Sequence, residues 1–182
     1  MNTINFENAV ILDTETTGLD SNAEIIEISV IEASTGNVLL DTLVTPVQLI
    51  PAEAIAIHGI SNRKVSGSPI FPKVFRQLLE VIENRDLLIY NASYDMRLIR
   101  QSMKRYGIDV FPFRTQCVME WYAEFYGDWN DYHGNYKWQS LTDAAYQQGI
   151  DISDLKAHRA LADCEITRRV VMAVNQQLEG QS

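Results

Sequence analysis

Residues 9–45 read AVILDTETTGLDSNAEIIEISVIEASTGNVLLDTLVT, and this stretch decides the fold. Residues 9–13 begin it with a short run of aliphatic residues, which predicts a buried strand. Residues 24–33 and 38–45 predict two more strands. Only Ser34, Thr35, Gly36 and Asn37 separate them. A short polar turn with a glycine between two apolar runs predicts an antiparallel hairpin. Outward from there the period changes. Residues 51–57 predict a short helix with proline at its start. Phe71, Val74, Phe75, Leu78, Leu79 and Ile82 recur at helical spacing over 71–82. Residues 87–90 predict a short buried strand. Ser93 is expected to cap a helix that runs to about Tyr106 and stops at Gly107. Residues 121–126, 141–148 and 159–178 predict three further helices. Strands first, then strands mixed with helices, indicate an α/β domain with a mixed sheet.

The 182 residues contain no internal repeat, low-complexity tract or linker, so a single domain over 1–182 is expected. A chain of this size can bury a substantial core without staples. No apolar run is long enough to span a bilayer. Residues 1–8 lack the basic start and apolar stretch of a signal peptide, so no membrane contact and a cytoplasmic location are expected. Cys117 and Cys164 form no CxxC pair and are expected to be free thiols in the interior.

The net charge of -9 argues against broad wrapping of duplex DNA, which needs many Lys and Arg contacts to phosphate. The charge is segregated. Residues 1–62 hold nine acids and no Lys or Arg, whereas residues 63–114 hold ten bases and five acids. Arg97, Arg100, Lys104 and Arg105 cluster there. A solvated helix face and a phosphate track are equally compatible with them.

Four carboxylates and one histidine stand out. Asp13 and Glu15 sit two residues apart at the end of the first strand, so they point the same way. A like-charge pair at about 4 Å in a surface-like dielectric costs on the order of 4 kcal/mol. A hard divalent ion would offset that cost, although two solvated loop acids would read the same way. In the last helix, Ala160, Thr167, Val170, Val171, Val174 and Leu178 form an apolar stripe, and Asp163 falls on it. A core-facing acid is expensive unless metal-bound or paired, and Arg159, one turn away, is its candidate partner. Asp95 lies where a strand becomes a helix, at the sheet edge where α/β proteins place ligands. A first-turn acid stabilised by the helix dipole is the plainer alternative. His158 precedes Asp163 by five residues, which one continuous helix would not align, so His158 is expected on the preceding loop.

These residues carry a resemblance. Asp13-Thr14-Glu15-Thr16-Thr17-Gly18-Leu19, Asn91-Ala92-Ser93-Tyr94-Asp95 and His158-Arg159-Ala160-Leu161-Ala162-Asp163 are similar, in that order, to the three motifs of the DEDDh exonucleases. The related DEDDy form places Tyr four residues before the last Asp, and here that position is Arg159. Ala56-Ile57-His58-Gly59-Ile60 resembles a motif of the branch containing proofreading epsilon subunits and exonuclease X. The resemblance covers about residues 9–174. It implies a ribonuclease-H-like fold: a five-stranded mixed sheet of order 3-2-1-4-5, second strand antiparallel, flanked by helices. It also implies a 3′–5′ exonuclease releasing 5′-mononucleotides, with DNA, preferentially single-stranded, favoured as partner and RNA possible. Two Mg²⁺ or Mn²⁺ ions would be held by Asp13, Glu15, Asp95 and Asp163, with Asp95 acting partly through water. His158 would be the general base. Thr16, Leu19, His58, Asn91 and Tyr94 would hold the terminal nucleotide.

Three other readings stay open: a binding module that kept the fold, a phosphoesterase for short RNA or small nucleotides, and an interaction protein using the aromatic stretch 121–138. For those aromatics, core packing or a subunit contact weighs slightly more than base stacking. His133 within it has no Asp at the spacing that the base would need. No long tail follows the last helix, so a free-standing enzyme is expected rather than a stable polymerase subunit. Oligomeric state and pathway are left open.

Overall fold

The structure, a computed structural model, describes residues 1–110 and 112–180. Strand β1 (Ala9–Thr16) outruns the predicted segment 9–13, and Asp13 and Glu15 lie in its last four residues, at the strand end where they were expected. Strands β2 (Ile25–Glu32) and β3 (Val38–Leu43) form the expected hairpin, and β2 pairs antiparallel with β1. Gly36 closes the turn at φ +78°, a conformation that costs little without a Cβ. Helices α1 (Ala52–His58), α2 (Asn62–Val65) and α3 (Phe71–Ile82) follow. Strand β4 (Asp86–Ile89) then pairs parallel with β1, and it leads into α4 (Ala92–Arg105). Strand β5 (Thr115–Cys117) is parallel to β4. The order β3-β2-β1-β4-β5 is the ribonuclease-H-like arrangement. The chain continues through α5 (Val118–Tyr126), a small hairpin of β6 (Trp129–Asn130) and β7 (Asn135–Tyr136), α6 (Leu141–Gln147) and α7 (Ala160–Glu179).

The two-residue period of β1 divides the core. Val10 and Leu12 pack with Ile28, Val30, Leu87 and Ile89 against α3 and α4. Ile11 packs with Ile31 and Leu88 against α5, α6 and α7 on the other face. Each such aliphatic side chain contributes about 1.5–3 kcal/mol when fully buried, which fixes the register of the strand. The same alternation continues past Leu12. Asp13 and Glu15 therefore take the α7 face, while Thr14 and Thr16 take the α4 face.

Two local expectations need correction. Ser93 does not cap α4: the helix starts at Ala92 with Asn91 at its cap position, and the Ser93 hydroxyl donates to Asn91 Oδ1 at 2.9 Å. The chain turns into the helix directly off β4, which puts Ser93 inside the first turn. Helix α5 begins at Val118, ahead of Trp121, because β5 feeds straight into it. The aromatic stretch divides. Trp121 and Tyr122 are buried, whereas Trp129, Tyr132 and Trp138 are exposed, and Trp129 meets Tyr136 edge-on at 5.0 Å between centroids. Cys164 is buried, Cys117 is half-buried, and both are free thiols. Among the described residues, no helix is long and apolar enough to cross a membrane.

Candidate active site

The ends of β1, α4 and α7 meet at one edge of the sheet. Asp13, Glu15 and Asp163 each place a carboxylate oxygen within 4.8 Å of the other two. Asp163 is in the first turn of α7, the face that β1 turns toward with Asp13 and Glu15. Asp95 arrives from the opposite face of the sheet, in the first turn of α4, and is 3% exposed. Its Oδ1 accepts from the Thr14 hydroxyl at 2.6 Å. The alternation of β1 thus sorts the acids: three oxygens cluster on one side, and Asp95 is anchored from the other.

The electrostatics show what this cluster lacks. Burial, then Asp95, Asp163 and Glu15, hold the Asp13 carboxyl well above its usual range. Burial, then Asp163, Glu27 and Asp95, push Glu15 up to about 8, with Arg159 pulling the other way. Burial raises Asp95 to about 7 against the hydrogen bond from Thr14. Burial raises Asp163 to about 6, with His158 opposing. Among the described residues, no Lys or Arg forms an ion pair with any of the four. A set of hard oxygen donors short of positive charge fits a hard divalent cation.

Arg159 does not pair with Asp163, the partner that helical spacing offered it. Its guanidinium grips Glu27 through Nε at 3.1 and 2.9 Å and through Nη2 as well. Glu27 Oε2 also accepts from the backbone N–H of Ala160 at 3.0 Å, which satisfies an open donor at the start of α7. Glu27 lies opposite Glu15 across the β1–β2 ladder and is 2% exposed. Sequence reasoning missed it. The signal was available, since an acid at the centre of IIEIS interrupts an otherwise aliphatic strand.

His158 sits on the loop before α7, as its spacing to Asp163 required. It is exposed, at φ +59°, an uncommon conformation for a residue with a Cβ. Its backbone N–H donates to Asp163 Oδ1 at 3.3 Å, so loop and acid are held together. The Tyr94 hydroxyl shares a hydrogen bond with Thr16 Oγ1 at 2.7 Å and donates to the Gly18 carbonyl at 3.0 Å. Both residues thereby brace the turn after β1. That turn carries Leu19, which is 80% exposed beside the site. Asn91 is half-buried at the head of α4. His58 is 3% exposed; its Nδ1 accepts from Ile60 N–H at 3.0 Å because Gly59, at φ +70°, turns the chain back. Its buried Nε2 has no hydrogen-bond partner among the described residues, and burial pulls its pKa down.

A family model described as exonuclease (RNase_T) matches residues 10–171. The chain is 42% identical over 174 residues to a protein of Escherichia phage 186 named uncharacterized exonuclease CP81, covering 92% of this chain and 88% of that one. It is 29% identical over 175 residues to the DNA polymerase III subunit epsilon of Pasteurella multocida, covering 91% of this chain and 67% of the subunit. In structure it is similar to exonuclease X in complex with 5′ overhanging duplex DNA, at TM-score 0.71 and 24% identity over 94% of this chain and 93% of that one. It is also similar to the nuclease domain of 3′hExo, a DEDDh family member, bound to rAMP, at TM-score 0.72 and 19% identity over 94% and 92%. At those identities the two structural likenesses speak for the fold alone.

Proposed function

Since this chain belongs to the RNase_T exonuclease family, in its DEDDh branch, we propose that it removes 5′-mononucleotides one at a time from the 3′ end of single-stranded DNA. The carrying observation is the meeting of Asp13, Glu15 and Asp163 oxygens within 4.8 Å, with no Lys or Arg ion-paired to them among the described residues. Asp13, Glu15 and Asp163 would hold divalent ions directly, and Asp95 would contribute from its Thr14-anchored position, partly through water. Two Mg²⁺ or Mn²⁺ ions bound there would supply charge for the attacking and leaving oxygens of the displacement.

The chain's own groups do the rest. His158 lies on the exposed rim next to Asp163, and a neutral imidazole has a free nitrogen able to accept a proton. It takes the proton of the attacking water, whose oxygen bonds to phosphorus as the bond to the 3′ oxygen breaks. Thr16 and Tyr94 stiffen the turn that presents Leu19 to the terminal base. His58 keeps an N–H at Nε2, because Nδ1 already accepts; that donor is buried here and would reach the nucleotide only once the chain around it opens. Asn91, at the head of α4, is the further polar group on this rim. DNA is preferred over RNA in this reading by analogy with the polymerase subunits the chain resembles.

The test is degradation of a labelled single strand. Loss of nucleotides from the 3′ end should require Mg²⁺ or Mn²⁺ and stop with EDTA. His158→Ala should lower kcat by about 10²–10⁴ while the protein still folds. Activity that persists in EDTA, or an unaffected His158 variant, would remove the two-ion mechanism or the base respectively.

A further inference from the structure

Helix α4 leaves the site carrying two rows of polar side chains that share Arg97. Arg97, Gln101 and Arg105 hold the loop that follows β1. They donate to the carbonyls of Leu19 at 3.1 Å, Ala23 at 2.6 Å and Asn22 at 3.0 Å, and Arg105 also pairs with Glu24. The second row is Ser93, Arg97, Arg100 and Lys104. Steps of four, three and four residues align them along one side of the helix. All four are exposed. Arg100 and Lys104 have no carboxylate partner among the described residues, in a chain of net charge -9. Arg97 joins the row to the site: its guanidinium lies 5.2 Å over the Tyr94 ring and bonds the Leu19 carbonyl.

Beside this row is an open groove of about 680 Å³, lined by Ser21, Arg97, Arg100, Lys104 and the turn 107–110, with Asp109 as its acid. Arg97 to Lys104 is seven residues, or about 10 Å of helix. At the roughly 3.4 Å of rise per phosphate of a duplex-like strand, that length spans about three phosphates, and fewer where a single strand is extended.

We infer that Arg100 and Lys104 bind the sugar–phosphate backbone of the substrate strand outside the catalytic cavity. The inference rests on the exonuclease reading and adds to it where the strand lies. An acidic protein repels a polyanion over most of its surface, so two unpaired cations beside the site give the strand a defined approach.

The test combines cleavage and binding. The double variant Arg100→Gln, Lys104→Gln should raise KM for a single-stranded 20-mer on the order of tenfold at 0.1 M salt, and lower the salt slope of log KM by about 1.4. Its hydrolysis of thymidine 5′-monophosphate p-nitrophenyl ester, which cannot reach the row, should be unchanged. The control pair Lys73→Gln, Arg76→Gln removes equal charge from α3 and should behave as wild type. Binding of a labelled 20-mer with a 3′-terminal phosphorothioate, read by anisotropy, separates the two readings. A protein that binds the 20-mer through both cations yet cleaves nothing keeps this inference and loses the exonuclease proposal. Equal loss on the 20-mer and the ester, or no loss on either, overturns the inference. So does wild-type protein that binds the 20-mer no better than a dinucleotide.

Discussion

Replacing Glu27 by Gln tests whether the buried ion pair holds the site together. The Glu27 side chain is 3% exposed and receives the Arg159 guanidinium and the N-terminal N–H of α7. Removing one partner of a buried pair costs about 3–5 kcal/mol, because the other charge stays behind. Two features place this variant at the low end, about 3 kcal/mol. The Arg159 side chain is 27% exposed and can be partly hydrated, and the Gln carbonyl still accepts a hydrogen bond. An opposing effect depends on metal. The Glu27 charge helps to raise the pKa of Glu15 and Asp13, so its removal relieves repulsion when no cation is bound. With Mg²⁺ in place that relief is small. The loss should therefore be larger in Mg²⁺ than in EDTA. At about 2–4 °C per kcal/mol for a chain of this length, Tm in Mg²⁺ should fall by about 6–12 °C. Urea unfolding in both conditions gives the free energies, and kcat should fall because Arg159 adjoins His158. A variant within about 0.5 kcal/mol of wild type in Mg²⁺ would refute the clamp.

Asp13→Asn should abolish hydrolysis and raise Tm in EDTA, since it removes a carboxyl whose charged form is opposed by burial and by its acidic neighbours; an unchanged or lower Tm would contradict that electrostatic account. The metal-free protein should also be pH-sensitive in a defined direction. Glu15, Asp95 and Asp163 titrate in the fold at about 8, 7 and 6, each above its ordinary value. Groups raised in this way contribute stability that is complete below about pH 4 and lost as pH rises through about 6 to 8. Urea midpoints in EDTA should fall across that window and recover on adding Mg²⁺. Midpoints that stay level in EDTA would sink the argument.

The central fold was legible because its signals are local. The aliphatic run of β1, the Ser34–Asn37 turn and the helical period of 71–82 each follow from a few neighbouring residues, and the structure keeps all three. Strand β5 was not legible, since three residues carry no period, and its place beside β4 depends on distant pairing. The site divides along the same line. Alternation put Asp13 and Glu15 on one face, and the five-residue step put His158 off the helix. Partners were another matter. Helical spacing offered Arg159 to Asp163, but the guanidinium reaches 132 residues back to Glu27, and among the described residues Asp163 has no Lys or Arg in an ion pair with it. Thr14, between the two conspicuous acids, proved to be the anchor of Asp95, 81 residues away.

The sequence by itself determined which residues bear charge, which face of its own element each occupies and the family to which the chain belongs. Only the tertiary structure decided which charges neutralise one another. Facing is set by backbone period, which neighbouring residues dictate. Pairing is set by which elements pack together, and desolvation then makes the choice of partner energetically decisive.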